Sequence, residues 1–163
     1  VQAATAVRAR PGASTRPGPS TPSGIVLIQR SLNPFYKSPQ SEIRCNGTER
    51  RSIPNFDELR DALEAGFGPV ETVILEDASL ARQIDLFGGA GIVVAQHGAA
   101  LGNMGWMDPR ATVVEIFPPD CPNCFMGLAR ALGLGFEQVL QNHPHGACDI
   151  PAIVSRVEKH LNT

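Results

Sequence analysis

The sequence predicts an α/β domain with a doubly wound, mainly parallel β-sheet of the Rossmann-like class. Short continuous apolar runs, typical of strands buried on both faces, alternate about five times with amphipathic segments of helical period. This alternation favours a parallel sheet with helices on both faces. At 163 residues and 42% apolar residues, the chain is also long enough for one domain with a sizeable core.

The first 24 residues differ from the rest in composition. They are mainly Ala, Pro, Ser, Thr and Gly, with three arginines, no acidic residue and no aromatic residue. Such a segment buries too little apolar surface to offset the entropy of ordering it. We predict that residues 1–24 are a disordered linker or stalk and that residues 25–163 form the domain.

The first elements follow from apolar runs and capping residues. "GIVLIQR" (24–30) predicts a buried strand that ends near an arginine. Residues 55–68 predict a helix that Asn55 caps and Gly66 ends. "VETVILE" (70–76) predicts the second strand.

The next helix is predicted over residues 77–90, with Ser79 as its cap. Three residues are expected on its apolar stripe: Leu80, Ile84 and Phe87. "GIVVA" (91–95) predicts the third strand, and the small residues after it lead into a short helix through about Met104.

The C-terminal part repeats the pattern. "ATVVEIF" (111–117) predicts a fourth strand, residues 124–135 a helix ended by glycines, and "FEQVL" (136–140) a weak fifth strand. A final helix is predicted over 149–163, with Asp149 near its cap. Its inward face is expected to comprise Ile150, Ile153, Val154, Val157 and Leu161.

Ligands of such sheets bind beyond the carboxyl ends of the strands. The turn "QHGAALGN" (96–103) places small residues and a helix N-terminus there, an arrangement that favours phosphate. His97 can add a hydrogen bond or a charge, and Arg30 can add a forked donor. A structural role for His97 is equally open. Glu115 is either turned to solvent or accepts hydrogen bonds from sugar or ribose hydroxyls.

Several function classes find no support. The net charge of −2 gives no reason to expect nucleic acid as a partner. The dinucleotide fingerprint G-x-G-x-x-G and the P-loop G-x-x-x-x-G-K-[ST] do not occur. No serine has the G-x-S-x-G setting of an α/β hydrolase nucleophile.

"CPNC" places Cys121 and Cys124 at the spacing of redox and zinc sites. A loop disulfide or free thiols are the simpler explanation of the pair and the one we favour. A zinc site would need further ligands from Cys45, Cys148, His143 or His145, and no second close pair exists. "NGT" (46–48) is an N-glycosylation sequon, meaningful only in a secretory compartment.

The stretch from Val73 to Pro118 goes beyond these separate signals. Its order of Glu76, Gln83, "HGAALGN" and "VVEIFP" resembles the C-terminal half of glycosyltransferase family 61. "LIQR" and "RSIPNFDEL" upstream resemble the family's strand ending in arginine and its helix start. The resemblance covers roughly residues 25–140. The sequence departs from the family pattern at three places. Ala100 replaces a usual glycine, "GWM" follows Asn103, and "CPNC" is not part of the pattern.

The resemblance implies the donor-binding, C-terminal half of a GT-B glycosyltransferase. It implies an inverting, metal-independent enzyme that needs no cofactor and transfers a sugar from a UDP-linked donor to a hydroxyl of a glycan or protein. Arg30 and the turn at His97, Gly98 and Ala99 would bind the diphosphate. The remaining implied contacts to phosphate, sugar or ribose are Asn103 and Glu115.

The same resemblance leaves several features outside this chain. The general base would belong to a missing N-terminal Rossmann-like domain across the cleft, so no catalytic residue is assigned here. The compartment would be the lumen of the endoplasmic reticulum or Golgi in a eukaryote and the cytoplasm otherwise. Two alternatives are a non-catalytic nucleotide-sugar-binding domain and a CxxC thiol or zinc module.

Overall fold

The computed structural model describes residues 23–31 and 47–161. Within them, five strands and five α-helices alternate along the chain. They are β1 (Ile25–Gln29), α1 (Gly47–Arg50), α2 (Phe56–Phe67), β2 (Val70–Ile74), α3 (Leu80–Gly89), β3 (Ile92–Gln96), β4 (Thr112–Phe117), α4 (Cys124–Leu132), β5 (Gly135–Leu140) and α5 (Ile150–Leu161). Two 3₁₀ helices, Leu75–Asp77 and Ala99–Trp106, follow β2 and β3.

The predicted parallel α/β sheet is confirmed. All four pairings are parallel, and the strand order is β2-β1-β3-β4-β5. Strand β2 lies on one side of β1, and β3 lies on the other. The connections that follow β1 and β3 therefore lead toward opposite edges of the sheet. The gap between the carboxyl ends of β1 and β3 is therefore the topological switch point of the sheet, where ligands of such folds bind.

The core has two layers because successive strand residues point to opposite faces. Val26 and Val93 lie in one apolar cluster, whereas Leu27 and Val94 lie in the other. Helices α3 and α4 and the 3₁₀ helix Ala99–Trp106 cover the first face. Helices α2 and α5 cover the second. The central strands β1, β3 and β4 are buried on both sides, which explains their continuous apolar sequence.

Two of the predicted caps are confirmed and two predictions around α2 are wrong. Ser79 accepts a hydrogen bond from the backbone N–H of Arg82, and Asp149 accepts one from Ala152. The Asn55 side chain makes no capping bond to α2. Instead it exchanges two hydrogen bonds with the main chain of Cys148, at 2.9 and 3.0 Å. Helix α2 runs past Gly66 to Phe67, and its C-cap is Gly68, whose φ of +84° suits glycine.

Two apolar residues face outward against prediction. Leu80 is 65% exposed and Leu161 is 47% exposed. Leu80 is the first residue of α3 and Leu161 the last of α5, so both lie outside the part of each helix that packs on the sheet. Strand β2 also ends two residues earlier than predicted, because residues 75–77 form a 3₁₀ turn.

Some predictions fall outside the described residues. Residues 1–22 of the predicted linker, Asn46 of the sequon and Cys45 are among these. Within the residues that are described, none of the helices has the length and apolar character needed to cross a membrane.

Candidate functional site

The candidate site lies at the switch point, where β1 and β3 end side by side. Arg30 follows β1 directly, and His97 follows β3. Both predicted residues are therefore brought to the same edge of the sheet. Arg51, in the segment that leads into α2, also reaches this edge, where it contacts His97.

Two guanidinium groups meet at one backbone oxygen. The Nη2 atom of Arg30 donates to the main-chain oxygen of His97 at 2.6 Å, and Nη1 of Arg51 donates to the same oxygen at 3.4 Å. The Nε atom of Arg30 donates to Oε1 of Gln96 at 2.9 Å. Arg51 and Gln96 are buried, and Arg30 is half-buried.

This arrangement concentrates positive charge. Burial, and next the charge of Arg51, lower the pKa of Arg30 to about 10. Arg50 acts in the same direction, whereas Glu76 raises the pKa of Arg30. Even so, Arg30 keeps its proton at neutral pH. A buried cation beside a second cation is a site that an anion would stabilise.

Gly98 has a steric reason to be small. A Cβ atom at this position would lie 2.4 Å from Nη2 of Arg30. Its φ of 163° is ordinary extended backbone, so space rather than backbone strain selects glycine. Ala99 is exposed at the start of the following 3₁₀ helix. Gly98 thus makes room for the arginine.

His97 and Glu115 form a buried hydrogen-bonded pair. Nδ1 of His97 lies 2.7 Å from Oε1 of Glu115, and the two residues are 4% and 1% exposed. Gln138 donates to the other carboxylate oxygen at 2.7 Å and to Asn123 at 2.8 Å. The carboxylate of Glu115 therefore does not turn to solvent, contrary to one of the two interpretations of the sequence. Protein groups occupy both of its oxygens.

The His97 ring also has aromatic neighbours. It makes edge-on contacts with Phe117 and Phe125, at centroid separations of 5.6 and 5.0 Å. These contacts and the bond to Glu115 fix the orientation of the imidazole. The main-chain oxygen of His97, in contrast, faces the two arginines.

Asn103 takes part in a different contact. Its side-chain amide donates to Oε1 of Gln83 at 3.1 Å, and Gln83 in turn donates to the main-chain oxygens of Leu75 and Ala78. These bonds fasten the 3₁₀ helix Ala99–Trp106 to α3. The motif residues Gln83 and Asn103, which are separated in sequence, are hydrogen-bonding partners.

Sequence reasoning missed four residues of this region: Arg51, Ser52, Gln96 and Gln141. Arg51 and Ser52 lie in "RSIPNFDEL", a segment that carried the family resemblance but whose residues had no assigned role. A pocket of about 240 Å³ opens beside Arg30. Its described lining consists of Ile28, Gln29, Arg30, Thr48, Ser52, Ile53, Pro54, Phe56 and Gln96, a set without Asp, Glu or His.

The cysteines of the described residues are free thiols. Cys121 is half-buried, Cys124 is exposed and Cys148 is buried. Burial raises the pKa of the Cys148 thiol to about 11. No group of three His, Cys, Asp or Glu side chains that could hold a metal ion occurs within residues 23–31 and 47–161. The zinc alternative therefore finds no ligand set in this part of the chain.

The fold and the site define a class of protein: an open parallel α/β domain with a cationic cluster at its switch point. The sequence profile of the family "Glycosyltransferase 61" matches residues 2–114. The chain belongs to this family, which confirms the resemblance found in its sequence.

Two relatives illustrate the similarity. The "EGF domain-specific O-linked N-acetylglucosamine transferase" of Drosophila melanogaster is 31% identical over 116 residues, which cover 68% of this chain and 22% of that protein. The human "Protein O-linked-mannose beta-1,4-N-acetylglucosaminyltransferase 2" is 36% identical over 97 residues, 56% of this chain and 17% of that protein. The matched part of this chain thus spans about a fifth of the length of these curated relatives.

A solved structure shares the fold. The flavodoxin-like domain of a Synechococcus protein superimposes with a TM-score of 0.52, at 16% identity, over 83% of this chain and 86% of that chain. At this identity the likeness concerns the fold alone.

Proposed function

We propose that the chain is the donor-binding part of a glycosyltransferase that uses a UDP-linked sugar. The sugar would pass to a hydroxyl of a glycan or a protein, in keeping with family membership and with the names of the two relatives. We propose this donor, this acceptor and this reaction for the whole protein.

One observation carries the proposal: Arg30 and Arg51 converge on the main-chain oxygen of His97 at the switch point. A diphosphate bound there would place negative charge beside the two guanidinium groups and stabilise their protonated forms. Arginine suits the role because its guanidinium stays protonated and can donate in a forked geometry to phosphate oxygens. Gly98, which contacts Arg30, and the exposed residue Ala99 follow His97 directly.

In this mechanism the acceptor oxygen attacks the anomeric carbon of the sugar. The carbon–oxygen bond to the β-phosphate breaks in the same displacement, so the configuration inverts. The electron pair goes to the leaving UDP, whose charge Arg30 and Arg51 would stabilise. Donors directed at developing charge contribute about 3 kcal/mol each in comparable sites. The two cations would replace a divalent metal, so we propose a metal-independent reaction.

His97 and Glu115 would act indirectly. The pair is buried and fixes the turn whose carbonyl receives both arginines. Asn103 would likewise hold the 3₁₀ helix in place through Gln83. We therefore propose Arg30, Arg51, Gly98 and Ala99 as the groups nearest the diphosphate.

The acceptor proton needs a base, and we propose that a second Rossmann-like domain supplies it. The described lining of the pocket contains no Asp, Glu or His, and both oxygens of Glu115 are engaged. A GT-B arrangement, with two such domains facing each other, would bring a base to the sugar. A protein-directed enzyme of this kind would work in the secretory lumen in a eukaryote.

The test is UDP binding to the chain in the presence of a chelator. We expect UDP at 100 times its Kd to stabilise the fold by about 2.7 kcal/mol, measured as a rise in Tm. Arg30→Ala and Arg51→Ala should abolish the rise. Arg130→Ala is the matched control, because Arg130 is exposed in the last turn of α4, remote from the strand carboxyl ends. A folded sample that responds to no nucleoside diphosphate or UDP-sugar contradicts the proposal.

A non-catalytic nucleotide-sugar-binding domain is the second candidate. It would use the same cationic cluster and differs from the first candidate in needing no catalytic base. Both candidates predict UDP binding, and only the first predicts UDP release when donor and acceptor hydroxyl are supplied together. The assay should use the longest natural protein that contains this chain.

A further inference from the structure

Gln141 directly follows β5 and is 2% exposed. The family profile matches residues 2–114, so Gln141 lies outside the matched part of the chain. A buried glutamine must satisfy both ends of its amide, because an unpaired polar group inside a protein costs free energy. Its hydrogen bonds therefore indicate what it holds in place.

The Oε1 atom of Gln141 accepts a 2.6 Å hydrogen bond from Nε2 of Gln96. The Oε1 atom of Gln96 in turn accepts the 2.9 Å bond from Nε of Arg30. Gln96 thus connects Gln141 to the arginine of the candidate site. The connection joins the ends of β5, β3 and β1.

The surroundings fix the orientation of the Gln96 amide. Its Nε2 atom lies 3.1 Å from the main-chain oxygen of Ser52 and 3.2 Å from that of Pro144, in addition to Gln141. A flipped amide would place oxygen against these acceptors and an NH₂ group against the Arg30 N–H. Only the observed orientation turns the amide oxygen of Gln96 toward the Nε–H of Arg30.

Gln141 controls more than one of these contacts. The two hydrogens of Gln96 Nε2 serve three acceptors, and the shortest of the three bonds goes to Gln141. The Nε2 atom of Gln141 donates to the same Ser52 oxygen at 3.0 Å and also to the oxygen of Gly146. Gln141 therefore holds Gln96 directly. It also holds the carbonyl of Ser52, which is the second acceptor of Gln96.

We propose that Gln141 is a positioning residue that acts through Gln96 to fix the guanidinium of Arg30 at the main-chain oxygen of His97. The functional part of this proposal rests on the proposed function, in which Arg30 contacts the diphosphate. The structural part concerns the free protein and can be measured without a ligand.

The first experiment follows the Nε–H signal of Arg30 by NMR in the full 163-residue chain. Gln141→Met keeps the length of the side chain and removes its hydrogen bonds. We expect the Arg30 Nε–H to exchange with water about fivefold faster or more in this variant. Asn142→Leu is the matched control, since Asn142 is the next residue, is exposed, and loses its amide in the same way.

The second experiment measures UDP affinity in a double-mutant cycle. Gln141→Met should weaken UDP about fivefold, the effect of one hydrogen bond. Arg30→Lys retains the charge but lacks the Nε–H group, so the same change should cost less than twofold in that background. A merely structural role for Gln141 would weaken UDP equally in both backgrounds.

The outcomes are distinct. Faster exchange at Arg30 in Gln141→Met, with no change in Asn142→Leu, supports the positioning role. Unchanged exchange, or equal effects of the two substitutions, overturns it. If the wild type fails to bind UDP while the Arg30 signal still responds, the proposed function falls and the positioning role stands. Should Gln141→Met not fold, Gln141→Asn keeps the amide but shortens its reach and is read in the same way.

Discussion

The Nη2 atom of Arg30 lies 2.6 Å from the main-chain oxygen of His97, although the two residues are 67 positions apart. The bond ties the ends of the neighbouring strands β1 and β3 at the switch point. It also requires that the residue after His97 has no side chain, because a Cβ at Gly98 would overlap the guanidinium. The close approach of Arg30 to His97 therefore depends on the absence of a side chain at Gly98.

Gly98→Ala should impair binding more than folding. The new methyl group displaces the end of a flexible side chain, so we expect the free energy of unfolding to fall by only about 1 kcal/mol. Because Arg30 must leave its position, UDP affinity should fall about tenfold, measured by calorimetry. Gly102→Ala is the control, since its Cβ would meet nothing within 4 Å. Equal UDP affinity in both variants would show that the position of Arg30 is unimportant.

Glu115→Ala should destabilise the fold strongly. It removes the partner of His97 Nδ1 and of Gln138 Nε2 in a region that is almost fully buried. Loss of one member of a buried polar pair costs about 3 kcal/mol. Urea denaturation followed by circular dichroism measures this change. Glu158→Ala, an exposed residue of α5, should change stability by less than about 0.5 kcal/mol. A similarly small effect for Glu115→Ala would contradict the structural role of the pair.

Acid should weaken the contact between β5 and α5. The pKa of Glu137 is lowered, first by its hydrogen bond from Lys159 and then by the bond from His160. A carboxyl group whose pKa falls on folding stabilises the fold above its unfolded pKa, near 4.3. That stabilisation disappears as the pH drops through the native pKa. We expect Glu137→Gln to flatten the decline of Tm below about pH 5.

The comparison for this prediction is Glu158→Gln, which removes an exposed carboxylate from α5, the helix that carries Lys159 and His160. Its Tm should follow the wild-type pH profile. If Glu137→Gln and the wild type lose stability in parallel on acidification, the lowered pKa has no role in acid sensitivity.

Thiol labelling should distinguish Cys124 from Cys148. Cys148 is 6% exposed and burial raises its pKa to about 11, so little thiolate is present at pH 8. Cys124 is exposed. We expect iodoacetamide to modify Cys124 in the native protein and Cys148 only after unfolding, as measured by peptide mass spectrometry. Rapid native labelling of Cys148 would show that the contact between its main chain and Asn55 opens readily.

The sheet was predictable from the sequence because its physical cause is local. Strands β1, β3 and β4 are buried on both faces, and their continuous apolar runs follow directly from this burial. Parallel strands also end at one edge, which is why Arg30 and His97 could be placed together. The cap at Asn55 was wrong because its side chain serves a main-chain partner 93 positions away.

The partners within the site were less predictable. Arg51, Gln96 and Gln141 come from separate segments, and a polar residue at a strand end looks the same whether it faces solvent or a buried partner. Glu115 shows the same ambiguity, since its two interpretations both left the carboxylate near the surface. Only the assembled sheet reveals that His97 and Gln138 enclose it.

The chain of bonds from Gln141 through Gln96 to Arg30 has a consequence for folding. Each link spans dozens of residues, so the site has high contact order and exists only after β1, β3 and β5 have assembled. A ligand of this site would bind the completely folded chain and would not bind partly folded chains. UDP would then raise the free energy of unfolding of weakly stable variants by RT ln(1 + [UDP]/Kd) and so increase the fraction of folded chains.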